Sequence, residues 1–238
     1  MSELTAQTPS EVTGGLNERL NKLRAGVLGA NDGIVSTAAV IVGVAGASSD
    51  IRAIATAGIA AVVGGAISMA LGEYVSVSSQ RDAENAIIEK EKRLHSEDPD
   101  GEFEVLVQEY EKKGISRETA EQVAREATAH NPLATHLEMH YGIDQSDIVS
   151  PWSAAVSSFI AFFLGAMLPM LAILFPSDTW RVPFVFFVTL VALAITGVIS
   201  ARLGGANQGK AAVRLVIGGA LALVLTWAVG WLFGTTVM

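Results

Sequence analysis

Apolar residues gather in five runs along this chain: Ala25–Ala47, Ala53–Ser79, Trp152–Phe175, Val182–Ala201 and Val213–Phe233. Each reaches about 20 residues, the length at which a helix crosses the hydrocarbon core of a bilayer. The third run carries Pro169 in mid-span, which predicts a kink. Between the second and third runs the pattern changes. "QRDAENAIIEKEKRLH" has neither glycine nor proline and mixes charges at helical spacing; "SEDPDG" interrupts it. "EFEVLVQEYEKKG" repeats apolar residues at the helical period and ends in Lys-Lys-Gly, a C-terminal signature. "ISRETAEQVAREATAHN" follows and, after Pro132, a short "LATHLEMHYG". These patterns predict an all-α membrane protein: five transmembrane helices, with three or four amphipathic helices inserted between the second and third. The expected organisation is a tail (1–24), transmembrane helices one and two (25–79), an acidic helical domain (80–150), and transmembrane helices three to five (151–238).

Composition supports this reading. Half of the residues are hydrophobic and 17 % are charged, below the usual quarter for soluble domains. There is no cysteine, which removes disulfides, thiolate metal sites and cysteine nucleophiles. No charged-then-apolar signal peptide precedes residue 25. The net charge of −8 is concentrated: segment 80–150 holds 17 of the 24 acidic and 8 of the 16 basic residues, and all 4 histidines. Nucleic-acid binding would need a basic footprint instead.

Lysine and arginine in the short loops set the orientation. Arg19, Lys22 and Arg24 precede run one, Arg202 and Lys210 lie between runs four and five, and Arg214 stands at the start of run five. The other connections carry only Arg52 and Arg181. The N-terminus and the acidic domain are therefore expected in the cytoplasm, with the C-terminus opposite. With no eukaryotic targeting signal in view, the expected location is a bacterial inner membrane, or a vacuolar membrane if the source is eukaryotic.

Only the first two runs contain acidic residues, Asp32 and Glu73. An intramembrane carboxylate is costly and marks function by default. Asp32 lies eight residues beyond Arg24, about 12 Å deeper at helical rise, which argues against an interfacial cap. Gly29 and Gly33 form a small-xxx-small pair that lets another helix approach. In run two, Met69 and Glu73 are four apart and share a helix face. A thioether disfavours Mg²⁺ and Ca²⁺, and a carboxylate suits Fe²⁺ and Mn²⁺. A lone methionine is more often a gap filler, so the inference rests on the pair.

In the acidic domain, Glu84 and Glu91 are seven apart on one face, with His95 four beyond Glu91. Glu102 and Glu109 share a face of the next helix, and His136 and His140 are spaced i,i+4 around Glu138 and Met139. An i,i+4 histidine pair is a workable chelate. Glu89 beside Lys92 and Arg93 fits a solvated salt-bridged face instead. "GGANQGKA" (204–211) imitates a phosphate-binding loop but has Ala211 at the hydroxyl position and no preceding strand.

"LRAGVLGANDGIVS" in run one and "GGAISMALGEYVSVSSQRDAENA" in run two resemble the vacuolar iron transporter family, as do the five runs and the acidic insert. The resemblance covers the chain from about residue 22 onward. It implies a proton-coupled transporter that moves Fe²⁺, and often Mn²⁺, out of the cytosol and works as a homodimer with a central pathway. It places Asp32, Met69 and Glu73 on the transport path and sets Glu91, Glu102, Glu138 and Met139 near the insert's metal-binding positions. Where related inserts often carry a glutamate shortly before the final glycine, this chain has His140 and Tyr141; a second glutamate on each of the first two helices is not cleanly placed, with Leu94 or His95 and Glu104 or Val105 in that region. The full candidate metal set is Asp32, Met69, Glu73, Glu84, Glu91, His95, Glu102, Glu138, Met139 and His140. The expected partners are divalent metal ions, protons, membrane lipid and a second copy of the chain, with no tightly bound cofactor and no catalysis. Two alternatives stand beside this: a divalent-metal channel or a transporter preferring Zn²⁺ or Co²⁺, and a membrane-anchored oxidase or storage module. The absence of Glu-x-x-His from the insert counts against the oxidase.

Overall fold

The computed structural model describes residues 9–144 and 150–236, with side chains for 23–144 and 150–234. Eight α-helices carry the fold: α1 (Pro9–Ala47), α2 (Ile51–Glu97), α3 (Pro99–Lys112), α4 (Arg117–His130), α5 (Pro132–His136), α6 (Pro151–Leu174), α7 (Asp178–Leu203) and α8 (Gln208–Thr236). A π-helical turn, Leu137–Tyr141, extends α5. No strand occurs among the described residues. Residues 1–8 of the expected tail lie outside the described residues, and from Pro9 the rest of the tail is already helical.

Among the described residues, five helices are long and apolar enough to cross a membrane: Leu23–Ala47 of α1, α2, α6, α7, and Gln208–Gly234 of α8. α2 differs from the expected pattern. The second apolar run and the first helix of the acidic segment form one uninterrupted helix of 47 residues. That is about 70 Å at helical rise, over twice the hydrocarbon thickness. No proline occurs between Ile51 and Pro99, so nothing obliges the backbone to stop where polarity changes. The break comes at Asp98, whose side chain caps α3 by accepting from the Gly101 N–H at 2.9 Å, with Pro99 in the first helical position. α6 remains helical across Pro169.

The chain divides into two compact units. In the first (residues 21–75 and 151–238), α1, α2, α6, α7 and α8 share a core that includes Ile41, Val42, Ile54, Ile173, Val185 and Leu223. Its helices approach closely through glycine. A Cβ on Gly33 would lie 2.2 Å from the Phe162 carbonyl oxygen, and one on Gly230 would lie 1.8 Å from that of Gly43. The outer surface is apolar, with Leu168, Leu171, Ile195, Ile199, Leu221 and Leu225 among many exposed large side chains. Such an exterior is stable against lipid and costly against water. Trp152 and Trp180 are exposed at the starts of α6 and α7, where amphipathic rings meet a membrane interface. The protein is an integral membrane protein.

The second unit, of which residues 9–20, 76–144 and 150 are described, contains the start of α1, the polar half of α2, α3, α4, α5 and the π-turn. Leu106 and Val107 of α3 pack on Ala120 and Ala124 of α4, with Phe103, Tyr110, Ile115 and Met139 around them. The alanines let α4 sit close to α3. Arg117 then ties the two together, donating to both carboxylate oxygens of Glu104 at 2.9 and 2.8 Å.

Candidate metal centres

Two donor clusters emerge, one in each unit. In the membrane unit a groove of about 510 Å³ runs between α1 and α2. Leu28, Asp32, Ser36 and Val40 line it from α1 at intervals of four, which is one helix face. From α2 come Ala61, Gly65, Ser68, Met69, Gly72 and Glu73. The small residues of that set leave the space, and Phe162 of α6 closes one wall. Asp32, Met69 and Glu73 thus face a single groove. Ser36 donates its hydroxyl to the Asp32 backbone carbonyl. Glu73 lies 3.8 Å from the Arg24 guanidinium, so it stands level with the last base before the first apolar run. A carboxylate, a thioether and a second carboxylate suit a borderline divalent ion better than Mg²⁺ or Ca²⁺. Ser36 and Ser68 add hydroxyl dipoles that charge-based reading of the sequence passed over.

In the helical unit, Glu91, His95, Glu102 and His136 each bring a ligand atom within 4.8 Å of the others. Glu91 and His136 are 1 % and 2 % exposed, which places both groups out of reach of bulk water. His136 is central. Its Nδ1 lies 2.7 Å from Glu91 Oε2, and its Nε2 lies 3.2 Å from Glu102 Oε2. Tyr141 donates its hydroxyl to the other Glu91 oxygen at 2.8 Å. Burial, then the Glu91 hydrogen bond and the negative charges of Glu91 and Glu102, push the Tyr141 phenol up to about 12. His95 Nδ1 sits 3.0 Å from the Glu91 backbone carbonyl.

The π-turn explains how one carboxylate meets both His136 and Tyr141. Residues five apart on an α-helix point about 140° away from each other, whereas i→i+5 bonding brings them to one face. Gly142, at φ 67°, ends the turn and allows its N–H to bond the Glu138 carbonyl at 3.0 Å.

The other sequence-selected residues stand apart from this cluster. Glu84, two turns before Glu91, accepts from Gln80 at 2.9 Å. Glu138 is exposed. Met139 packs on the α3–α4 core with its sulfur 3.7 Å from Lys113 Nζ. His140 stacks on His136 with ring centroids 5.5 Å apart but directs Nδ1 to Glu109 at 3.2 Å. His136 shows in the sequence as half of an i,i+4 pair, and only the fold makes it the buried member.

A family model described as the VIT family matches residues 23–231. A protein named vacuolar iron transporter from Acanthamoeba castellanii is 40 % identical over 214 residues, covering 90 % of this chain and 79 % of the relative. Vacuolar iron transporter homolog 1 of Oryza sativa subsp. japonica is 37 % identical over 225 residues, covering 93 % and 78 %. Vacuolar iron transporter homolog 5 of the same plant is 35 % identical over 234 residues, covering 97 % and 90 %.

Proposed function

The chain belongs to the VIT family, and from that membership and its two donor clusters we propose that it carries Fe²⁺, with Mn²⁺ as a second cargo, out of the cytosol in exchange for protons. It is a transporter and not an enzyme. The observation that carries the proposal is the convergence of Asp32, Met69 and Glu73 on one groove of the membrane unit. A carboxyl in an apolar groove is at lowest free energy when neutral, and a bound dication stabilises its ionised form. Asp32 can therefore hold a proton in one half of the cycle and metal in the other.

The cluster of Glu91, His95, Glu102 and His136 collects metal before transport, with its helical unit on the cytoplasmic side together with the N-terminus. The membrane is the cell membrane of a bacterium or the vacuolar membrane of a eukaryote. The working form is a homodimer. Ile59, Val63, Ile67 and Leu71 form an exposed apolar stripe on α2, and Gly64 and Gly72 leave open space beside it. A second copy on this face would turn the open groove into an enclosed path.

The test is metal uptake into liposomes holding the purified protein and a pH-sensitive dye, under anaerobic conditions. Fe²⁺ entry with counterflow of protons, lost in Asp32→Asn and in Met69→Ala, is the expected result. Metal entry without proton movement would make the protein a channel or uniporter. Faster entry of Zn²⁺ or Co²⁺ than of Fe²⁺ would change the cargo. Tight metal binding with no entry would make it a storage or sensing protein.

A further inference from the structure

We propose that His95, His136 and Glu102 form a two-histidine, one-carboxylate site for Fe²⁺, and that Glu91 is not a ligand but the positioning residue that presents both histidines to it. The inference rests on the metal-collecting role given above to this helical unit, and it divides the labour among the four clustered residues.

The hydrogen bonds carry the division. Both oxygens of the Glu91 side chain are committed, one to the Tyr141 hydroxyl and one to His136 Nδ1. A carboxylate can only accept, so His136 Nδ1 carries the hydrogen, and in the neutral ring Nε2 presents its lone pair. The backbone carbonyl of the same residue fixes His95 in the same way: it can only accept from Nδ1, which leaves His95 Nε2 as the free nitrogen. Glu91 therefore sets the tautomer of both rings, once by side chain and once by main chain. Carboxylate or carbonyl partners behind a coordinating histidine are the usual support of metal sites.

The unpaired groups point to the ligand. His136 Nε2 is buried and makes no hydrogen bond among the described residues, although Glu102 Oε2 is 3.2 Å away. Two acceptor atoms that close are satisfied by a cation shared between them, a proton or a metal ion; the absence of hydrogen-bond alignment favours a metal ion seated to one side of the N···O line. Two cis ligands, each about 2.1 Å from an octahedral ion, sit about 3 Å apart, close to the separation observed. A cavity of about 190 Å³ adjoins them, lined by His95, Glu102 and His136 but not by Glu91, which lies behind the rings. At about 30 Å³ per water it has room for several waters to fill the remaining coordination positions. Two histidines and one carboxylate with open positions is the donor set associated with non-haem Fe²⁺. Labile water ligands suit a site that must give its metal up again.

The experiment uses full-length protein in detergent, loaded anaerobically with Fe²⁺ and treated with nitric oxide to give an EPR-active adduct. Nitrogen modulation of that signal reports coordinated imidazole. It reports on the helical unit and not on the membrane groove, because all 4 histidines lie between residues 95 and 140 and none lies in the groove; the single-histidine variants then separate this site from His130 and His140. Wild type is expected to show two imidazoles, falling to one in His95→Ala and in His136→Ala. Glu91→Gln and Tyr141→Phe should keep two imidazoles while the Fe²⁺ dissociation constant rises, about 10–100-fold for the first and less for the second. The mild Tyr141→Phe change guards against a folding artefact. If Glu91 is itself a ligand, Tyr141→Phe frees an oxygen and binding holds or tightens, while Glu91→Gln behaves like Glu102→Gln; that result overturns the assignment. Fe²⁺ bound without any imidazole overturns it as well, together with the collecting role. Two imidazoles in a protein that moves no metal through liposomes would leave this site standing and remove the transport proposal.

Discussion

Replacing Gly33 by alanine tests the close backbone contact between α1 and α6 beside the groove. The new Cβ would lie 2.2 Å from the Phe162 carbonyl oxygen and 2.9 Å from its carbon, both backbone atoms that no rotamer change can move. Reaching ordinary contact at 3.4 Å requires α1 and α6 to part by about 1.2 Å. Overpacking of this kind costs about 1–3 kcal/mol, a fall of roughly 2–12 °C in melting temperature for a chain of this size. The control is Gly218→Ala on α8, where an added Cβ meets nothing within 4 Å. There only helix propensity changes, and alanine is favoured by about 0.5–1 kcal/mol. The two variants should move in opposite directions in a tryptophan-fluorescence melt. Because Phe162 also walls the groove of Asp32, Met69 and Glu73, Gly33→Ala should slow Fe²⁺ uptake by more than its loss of folded protein accounts for. A melting temperature for Gly33→Ala at or above that of Gly218→Ala would refute the close α1–α6 approach and the reasoning built on it.

Two further outcomes follow from the helical unit. The Arg117 guanidinium holds the Glu104 carboxyl below its ordinary value, chiefly by hydrogen bonding. The contribution of this clamp is therefore present above the unfolded carboxyl value, about 4.3, and is lost as pH falls through the lower folded value. Hydrogen-exchange protection of α3 and α4 should drop between pH 6 and pH 3 in wild type and change less in Arg117→Gln; equal pH dependence would show that the clamp does not bind the helices. Tyr141 has a phenol raised to about 12, so its stabilising contribution is full below about pH 10 and is lost as pH climbs toward the folded value. The wild-type minus Tyr141→Phe absorbance at 295 nm should stay flat to about pH 11, and tyrosinate appearing near pH 10 would contradict the buried Tyr141–Glu91 bond.

Hydropathy alone determined the five spans and the polar segment between the second and third, because a bilayer reads length and apolarity directly from the chain. The face shared by Met69 and Glu73 was equally legible, since helical period fixes which neighbours align. Two things were decided only by the folded structure, and a third, the length of α2, was set by the sequence but not by its polarity. Whether α2 stops between Ser79 and Gln80 depends on a breaker, not on polarity, and the chain has none before Asp98. The partnership of Glu91 with His136, 45 residues away, depends on how α2 and α5 pack, and no spacing rule reaches that far. Tyr141 joins them through a π-turn, whose extra residue per turn moves it to a face that α-helical counting assigns elsewhere. Local periodicity is written in the sequence because it follows from backbone geometry. The donor cluster of the helical unit is assembled from separate segments, and it exists only once the packing of α2, α3 and α5 has brought their polar groups out of water and against one another.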